Sequence, residues 1–492
     1  MTGASLHRPL AASAISGWDD ETDVVVIGFG AAGACAAIEA AEAGARVTLY
    51  ERNSGSGGAS GLSGGEIYIG GGGGTDAQRA AGFEDSTEAF AAYLKAAGGP
   101  CADTAKCDLY AAEALAHYEW LKTQGIPYRG NYLPGKHIEP VDDSTLIWSG
   151  SEAAAPFCDI AVPAPRGHVI QHRGWGGGRP LVDILEARAR ELGVRIVTDA
   201  RAAGLVTEGE RVVGAVLRID NRDHVVRAAR GIVLATGGFV MNEEMRRLHC
   251  PDTFKINSPI GDKDDGSGIL LGMSAGGDAI HMDQFFTTCP WTMPESHAYG
   301  VFVNAAGQRF INEDCYHGRV SRAAIDQPGG RVYLLLDNAH FAQPLDMAGI
   351  TIAGTGNDWE EVEAELGLPA ATLSATMHVY NAHARDGRDP LFDKRPPILT
   401  ALDQGPFVAL ELDFASSYFS FFTLGGLRTS IDGEVLDRGG TRVAGLYAAG
   451  RCTSGLPAWG HGYSSGMSLA DCTFFGRRAG SAAAGSAPVR AA

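Results

Sequence analysis

Near its start the chain sets Gly28-x-Gly30-x-x-Gly33 between a short apolar run at 23–27 and an alanine-rich helical pattern that lasts to Ala43. No other feature constrains the fold as much. The apolar run has the character of a buried strand, and Gly44 suits the end of the helix. Residues 46–50 read as the next strand, closing on Glu51, so the unit is βαβ. Gly28 permits the tight turn, Gly30 lets a pyrophosphate reach the backbone, and Gly33 lets helix and strand pack closely. The helix start, through Ala31 and Ala32, offers N–H groups and partial positive charge to phosphates. Glu51, with Arg52 beside it, stands where an acidic side chain accepts hydrogen bonds from the adenosine ribose. This context favours a dinucleotide site over a structural turn, and the local motif does not say which dinucleotide.

The 492 residues exceed the ~250–300 of one core, so two domains, or one with an insertion, are expected. Glycine makes up 67 residues and fills more than half of 55–74, which reads as a backbone-rich loop. Residues 75–125 read as mostly helical and 126–180 as irregular. A helix at 181–192, a strand at 195–198, a hairpin over 202–208 and 211–219, and a buried strand at 231–235 follow. Residues 266–275 read as a short helix. From 277 to 414 the pattern fades, as in an inserted domain. A last strand at 445–449 enters Gly450, and 464–480 reads as a helix. Residues 1–20 read as an irregular lead-in and 481–492 as a flexible tail.

With 40 basic and 58 acidic residues the formal charge is −18, which argues against a nucleic-acid partner. No stretch approaches the ~20 apolar residues of a spanning helix, so no integral membrane segment is expected. Residues 1–20 lack a charged start followed by an apolar core, so no secretory signal is expected either. The nine cysteines form no C-x-x-C, which predicts reduced thiols, a cytoplasmic location and no metal site.

Three further motifs act together: Gly57-Gly58-Ala59-Ser60, Ala-Thr-Gly-Gly at 235–238, and Leu-Tyr-Ala-Ala-Gly-Arg at 446–451. With them the chain resembles the fumarate reductase and 3-ketosteroid dehydrogenase flavoproteins over 22–276 and 415–480. The resemblance implies an α/β fold: a Rossmann-like FAD-binding domain of glutathione-reductase type at 21–276 and 415–480, with an inserted α+β catalytic cap at 277–414. It implies non-covalent FAD. Besides Gly28, Gly30, Ala31, Ala32, Gly33, Glu51 and Arg52, the implied cofactor contacts are Gly58, Ala59, Ser60, Ser63, Gly64, Gly65, Ala202, Ala235, Thr236 and Gly237. Asp265, Gly450, Arg451, Gly466, Ser468 and Leu469 complete them. Asp265 reads equally as a helix N-cap.

Phe422 stands where fumarate reductases carry a substrate-gripping histidine. The neighbourhood of Phe414, Tyr418, Phe419, Phe421 and Phe422 suits a large hydrophobic substrate, although any single phenylalanine also reads as core. Trp459-Gly460-His461-Gly462-Tyr463 resembles the ketosteroid dehydrogenases, whose tyrosine hydroxyl donates to the steroid 3-ketone. The 1-dehydrogenases follow that tyrosine with Pro-Gly-Pro-Gly, and here Ser464-Ser465-Gly466 stands instead. The departure moves the reading to a 4-dehydrogenase acting on a 5α-3-ketosteroid. Tyr316 lies close to where the 1-dehydrogenases carry a catalytic tyrosine. The expected roles are Ser465 as base, Tyr316 as relay, Tyr463 as electrophile and FAD as hydride acceptor, with an unidentified electron acceptor as the other partner. The 1-dehydrogenase, an enoate reductase of fumarate-reductase type and a flavin scaffold without catalysis remain as alternatives. His461 reads as a turn residue. The histidines and tryptophans of 137–175 either line a channel or pack.

Overall fold

The protein is described from a computed structural model over residues 8–487. Its central sheet is built where the apolar runs lie. Val24, Val25, Val26, Val233 and Leu49 are fully buried, so these strands are covered on both faces, as parallel strands require. Arg222–Leu234, Asp20–Ile27, Val47–Tyr50 and Arg195–Val197 run side by side and parallel. Arg442–Ala448 joins the far side of Arg222–Leu234, also parallel. The hairpin of Arg201–Glu208 and Arg211–Ile219 extends the sheet as an antiparallel flap. The strand expected at 231–235 starts already at Arg222, because its first half pairs with that hairpin. The lead-in is not wholly irregular: Leu10–Ala11 pairs with Val206 and Thr207. Residues 1–7 of that lead-in, and 488–492 of the expected tail, lie outside the described residues.

The first helix, Ala31–Glu42, packs along the last, Met467–Gly485. The seam is made of small residues. A Cβ at Gly476 would stand 2.5 Å from the carbonyl oxygen of Ala32, and one at Gly480 would overlap that of Ala36. The tail expected from 481 instead continues the last helix to Gly485, because Ala483 and Ala484 are buried against the sheet and the first helix.

The stretch 126–180, expected to be irregular, contains three strands of a four-stranded sheet: Tyr132–Lys136, Leu146–Trp148 and Gly167–Val169. The fourth, Glu66–Tyr68, lies inside the glycine-rich segment and pairs antiparallel with Gly167–Val169. Residues 301–413 form another sheet, in the order Val301–Val303, Arg331–Asp337, Phe407–Asp413, Thr351–Gly356. The helices Trp359–Leu366 and Leu373–Arg385 cover it around a core of its own.

Beside that core a cluster of charges is buried. Arg309 makes a two-pronged contact to Asp389, both bonds 2.9 Å, and reaches Glu313 at 3.0 Å. Lys394 stands 3.4 Å from Glu313. Burial opposes each charge, and the opposite charges hold Asp389 below its ordinary range and Arg309 above its own. Removing one partner from such a cluster costs about 3–5 kcal/mol. Arg309→Ala should therefore lower the unfolding free energy by that amount, read as a fall in denaturant midpoint at constant slope. A loss below about 1 kcal/mol would show that the cluster relaxes to solvent.

Candidate active site

The turn after strand Asp20–Ile27 behaves as the glycine pattern requires. Gly28 has φ +105°, and a Cβ at Gly33 would overlap the Gly28 carbonyl oxygen. Only glycine allows the helix to start that close to the strand. The first turn of the helix opens on a cavity lined by Gly28, Gly30, Ala31 and Ala32. Ser60 closes one orphan amide by accepting from Ala31 N at 3.1 Å. Glu51 is buried at the cavity wall, and its two oxygens accept from Phe29 N at 2.7 Å and Asn53 N at 2.8 Å. It thus holds the glycine turn, as well as facing the cavity where ribose hydroxyls were expected. Arg52, Gly58, Ala59, Ala202, Ala235, Thr236, Gly237 and Arg451 complete the expected lining.

Four expected cofactor contacts line neither this cavity nor the one beside it. Gly33 works through packing. Gly65, at φ +74°, is pressed against the backbone of Gly177, and Gly450, at φ +71°, against Ala32. Asp265 serves a helix start: its carboxylate accepts from Ser267 N at 3.1 Å and pairs with Arg52 at 2.9 Å. Its neighbour Asp264 takes the place in the wall, forming a buried ion pair with Arg451.

A second cavity adjoins the first, sharing Ala59, Ser60, Arg451 and Cys472 with it. Ser63, Gly64, Gly466, Ser468 and Leu469 line it, and so do all three expected catalytic residues, Tyr316, Tyr463 and Ser465. One loop places two of these three, Tyr316 and Ser465. Ser151 Oγ accepts from Tyr316 N at 3.0 Å, and Ser149 O accepts from Ser465 N at 2.8 Å. Tyr463 donates to Ser468 Oγ at 3.1 Å, and burial pushes its hydroxyl up to about 12. Burial lifts the Tyr316 hydroxyl well above its usual value, and the Ser465 hydroxyl opposes that rise. At neutral pH all three are therefore neutral donors.

The aromatic wall differs from the expectation. Strand Ser420–Thr423 alternates, so Ser420 and Phe422 face the cavity while Phe421 turns into the opposite core. Phe414 and Phe419 are buried in that core too, and Tyr418 is exposed. The wall is Phe422 with Phe286, Tyr316 and Tyr463. Phe286 lies 4.3 Å from Tyr463 and 4.9 Å from Phe422 between ring centroids. His461 stays outside, as a turn residue 3.3 Å from Asp326.

Residues 23–467 match the FAD binding domain family. The chain belongs to this family. Its cofactor is FAD, and it is an oxidoreductase among the 3-ketosteroid dehydrogenase flavoproteins. It is similar to the 3-ketosteroid-Δ4-(5α)-dehydrogenase of Rhodococcus jostii RHA1, solved with 4-androstene-3,17-dione. That similarity is 41% identity over 97% of this chain and all of the other, with TM-score 0.90. The 3-oxo-5-alpha-steroid 4-dehydrogenase of Comamonas testosteroni is 29% identical, over 88% of this chain and 93% of its own length. A probable fumarate reductase of Shewanella frigidimarina is 28% identical, over 95% of this chain and 76% of its own length. Among the described residues no helix is long and apolar enough to cross a membrane, and no group of His, Cys, Asp and Glu could hold a metal ion.

The first cavity fits the FAD of this family. It offers the start of a helix for the pyrophosphate, a bare glycine at position 30, and Asn53, whose Oδ1 is buried without a partner. Among the residues of the second cavity that sequence reasoning missed, three bear on its chemistry. Glu66 is buried in strand Glu66–Tyr68, and Phe286 sits on strand Phe285–Thr288. His317, whose Nδ1 lies 2.6 Å from Thr288 Oγ1, is held neutral as burial lowers it to about 3. Only the last had a local signal, its place beside Tyr316.

Glu51→Ala removes both charge-assisted bonds that shape the glycine turn, each of which contributes about 1.5–3 kcal/mol. Titration of flavin-free protein with FAD should show at least about tenfold weaker binding. Unchanged affinity would mean that the turn holds its shape without Glu51.

Proposed function

We propose that this flavoenzyme desaturates a 3-ketosteroid, introducing the C4–C5 double bond into a 5α-3-ketosteroid. The observation that carries this is the convergence of Tyr316, Tyr463 and Ser465 on one aromatic-walled cavity beside the FAD cavity. The similarity to a Δ4-(5α)-dehydrogenase supports it. A flat tetracyclic ligand suits the wall of Phe286 and Phe422. We also infer that 277–414 acts as the catalytic cap, since it contributes Phe286, Tyr316 and His317 to a cavity otherwise built by the FAD-binding part.

The chemistry follows from acidity. A proton next to a ketone leaves only if the developing enolate is stabilised. Tyr463, a neutral donor on the last turn before the helix, is placed to hold the 3-ketone oxygen. Ser465 is placed to take the C4 proton, with Tyr316 orienting its hydroxyl. The start of helix Met467–Gly485 adds partial positive charge near the same oxygen. FAD, when bound, supplies the acceptor for the hydride equivalent that leaves C5.

Electrostatics disfavours the reduction of a dicarboxylate. The cavity's one guanidinium, Arg451, is neutralised by Asp264, while Glu66 and Glu139 line the same wall. All nine cysteines are free, which supports a reducing, cytoplasmic setting. The electron acceptor that completes turnover is unidentified.

Mixed anaerobically with a 5α-3-ketosteroid, the yellow holoenzyme should bleach and release the 4-ene. Tyr463→Phe should slow bleaching by about 10²-fold, the effect of removing one oxyanion donor. Bleaching within about threefold of the parent would exclude Tyr463 as the electrophile. A 1-ene product would place the base at Tyr316. Reoxidation of reduced enzyme by fumarate, with no response to steroid, would overturn the steroid reading.

A further inference from the structure

A serine hydroxyl acts as a base only if its own proton has a place to go. Tyr316 can pass a proton on, but a neutral buried phenol cannot keep one. We propose that Glu66 is the terminal acceptor of the substrate's C4 proton, received through the hydroxyl of Ser465. This rests on the steroid reading above.

The placement is specific. Glu66 is 4% exposed and lines the cavity that holds Tyr316, Tyr463 and Ser465. Its Oε1 is buried with no hydrogen-bond partner, while the hydroxyls of Ser465 and Ser149 stand beside the carboxyl. Two glycines make room for it. A Cβ at Gly466 would come within 3.1 Å of Glu66 Cγ, and one at Gly167 would overlap Oε1. An unpaired buried carboxyl is costly, so a chain that reserves space for one at a reacting centre uses it there.

The charged surroundings suit the task. Glu139 and Glu152 act on Glu66 as like charges, and Tyr316 and Tyr463 lie close enough to feel its charge. Arg451, the cation of the cavity, is committed to Asp264. Burial dominates and lifts Glu66 to about 8. Near neutral pH it exists in both forms, with a proton affinity far above that of an ordinary carboxylate, as general-base catalysis requires.

In the step proposed, the C4–H bond breaks and its electron pair stays on the substrate, where the charge is taken up at the 3-oxygen. A new O–H bond forms on Ser465 as its original O–H breaks, and that proton forms an O–H bond on Glu66. Charge moves from the carboxylate to the enolate, and every atom is accounted for.

The test uses holoenzyme, with two readouts. In anaerobic stopped flow with a 5α-3-ketosteroid, the parent rate should rise with pH and level off above about 8. Glu66→Gln should bleach about a hundredfold more slowly without that rise, while the spectral shift on steroid binding is kept, and Glu66→Asp should recover part of the rate. Separately, infrared pH titration without substrate should show a carboxylic-acid band that disappears near 8 and is missing from Glu66→Gln. Bleaching of Glu66→Gln within about threefold of the parent, with the same pH profile, overturns the proposal. So does a Glu66 band that titrates near the ordinary value of 4.5. If no steroid bleaches the parent, the steroid reading falls while the infrared titration still decides whether Glu66 holds a proton. If Glu66→Gln fails to retain flavin, Glu66→Asp and the titration of the parent decide.

Discussion

The site depends on a contact between two backbones. The first and last helices meet along a seam where Gly476 and Gly480 face the carbonyls of Ala32 and Ala36 with no room for a side chain. Both helices begin at the site. One N-terminus lines the FAD cavity and the other, at Gly466 and Ser468, lines the catalytic cavity. A close-packed interior transmits displacement instead of absorbing it. The seam therefore fixes the distance between the helix start that lines the FAD cavity and the helix start that lines the second cavity. A side chain at Gly480, remote from either cavity, would disturb both.

Around that frame the second cavity is aromatic and carries no uncompensated cation. Its hydroxyls are neutral because burial disfavours their ionised forms, and its one cation is cancelled by Asp264. Beside Glu66 stands a set of neutral hydrogen-bond donors whose attraction for a growing negative charge is strengthened by the low local dielectric. The loop Ser149–Ser151 gives the set its registration. It bonds to Tyr316 from one part of the chain and Ser465 from another, and Gly150 lies too close to Ser464 and Tyr93 to carry a side chain.

Much of this could be read from sequence, because the dinucleotide turn is local: strand, three glycines, helix and acidic residue fall within 23–51. That Tyr463 and Ser465 share a cavity was legible for a different reason, the resemblance to a family pattern around Tyr463. What escaped was set by pairing over long separations. Glu66 hid in a glycine-rich run because nothing nearby announces a strand, and its partner is Val169. The histidine- and tryptophan-rich stretch looked irregular because it builds a small sheet from short strands, and that sheet is what carries Glu66. Phe286 enters through antiparallel pairing with Phe422, which a linear reading does not bring together. Asp264 and Asp265 differ only in which way the turn aims them.

The same seam has a consequence for how the protein is made. Ala449, Arg451 and Cys472 line the cofactor cavity and are made long after the glycine turn they face. The sheet of 301–413, by contrast, pairs only within itself, with one face in a core of its own and the other in the core it shares with the main sheet. The glycine turn is made before helix Met467–Gly485, so the apolar helix that follows the turn stays uncovered until that later helix arrives. Contacts between distant parts of a chain form slowly, and until this one forms the flavin site is incomplete. A chain cut short within the last helix would lose its colour as well as its activity.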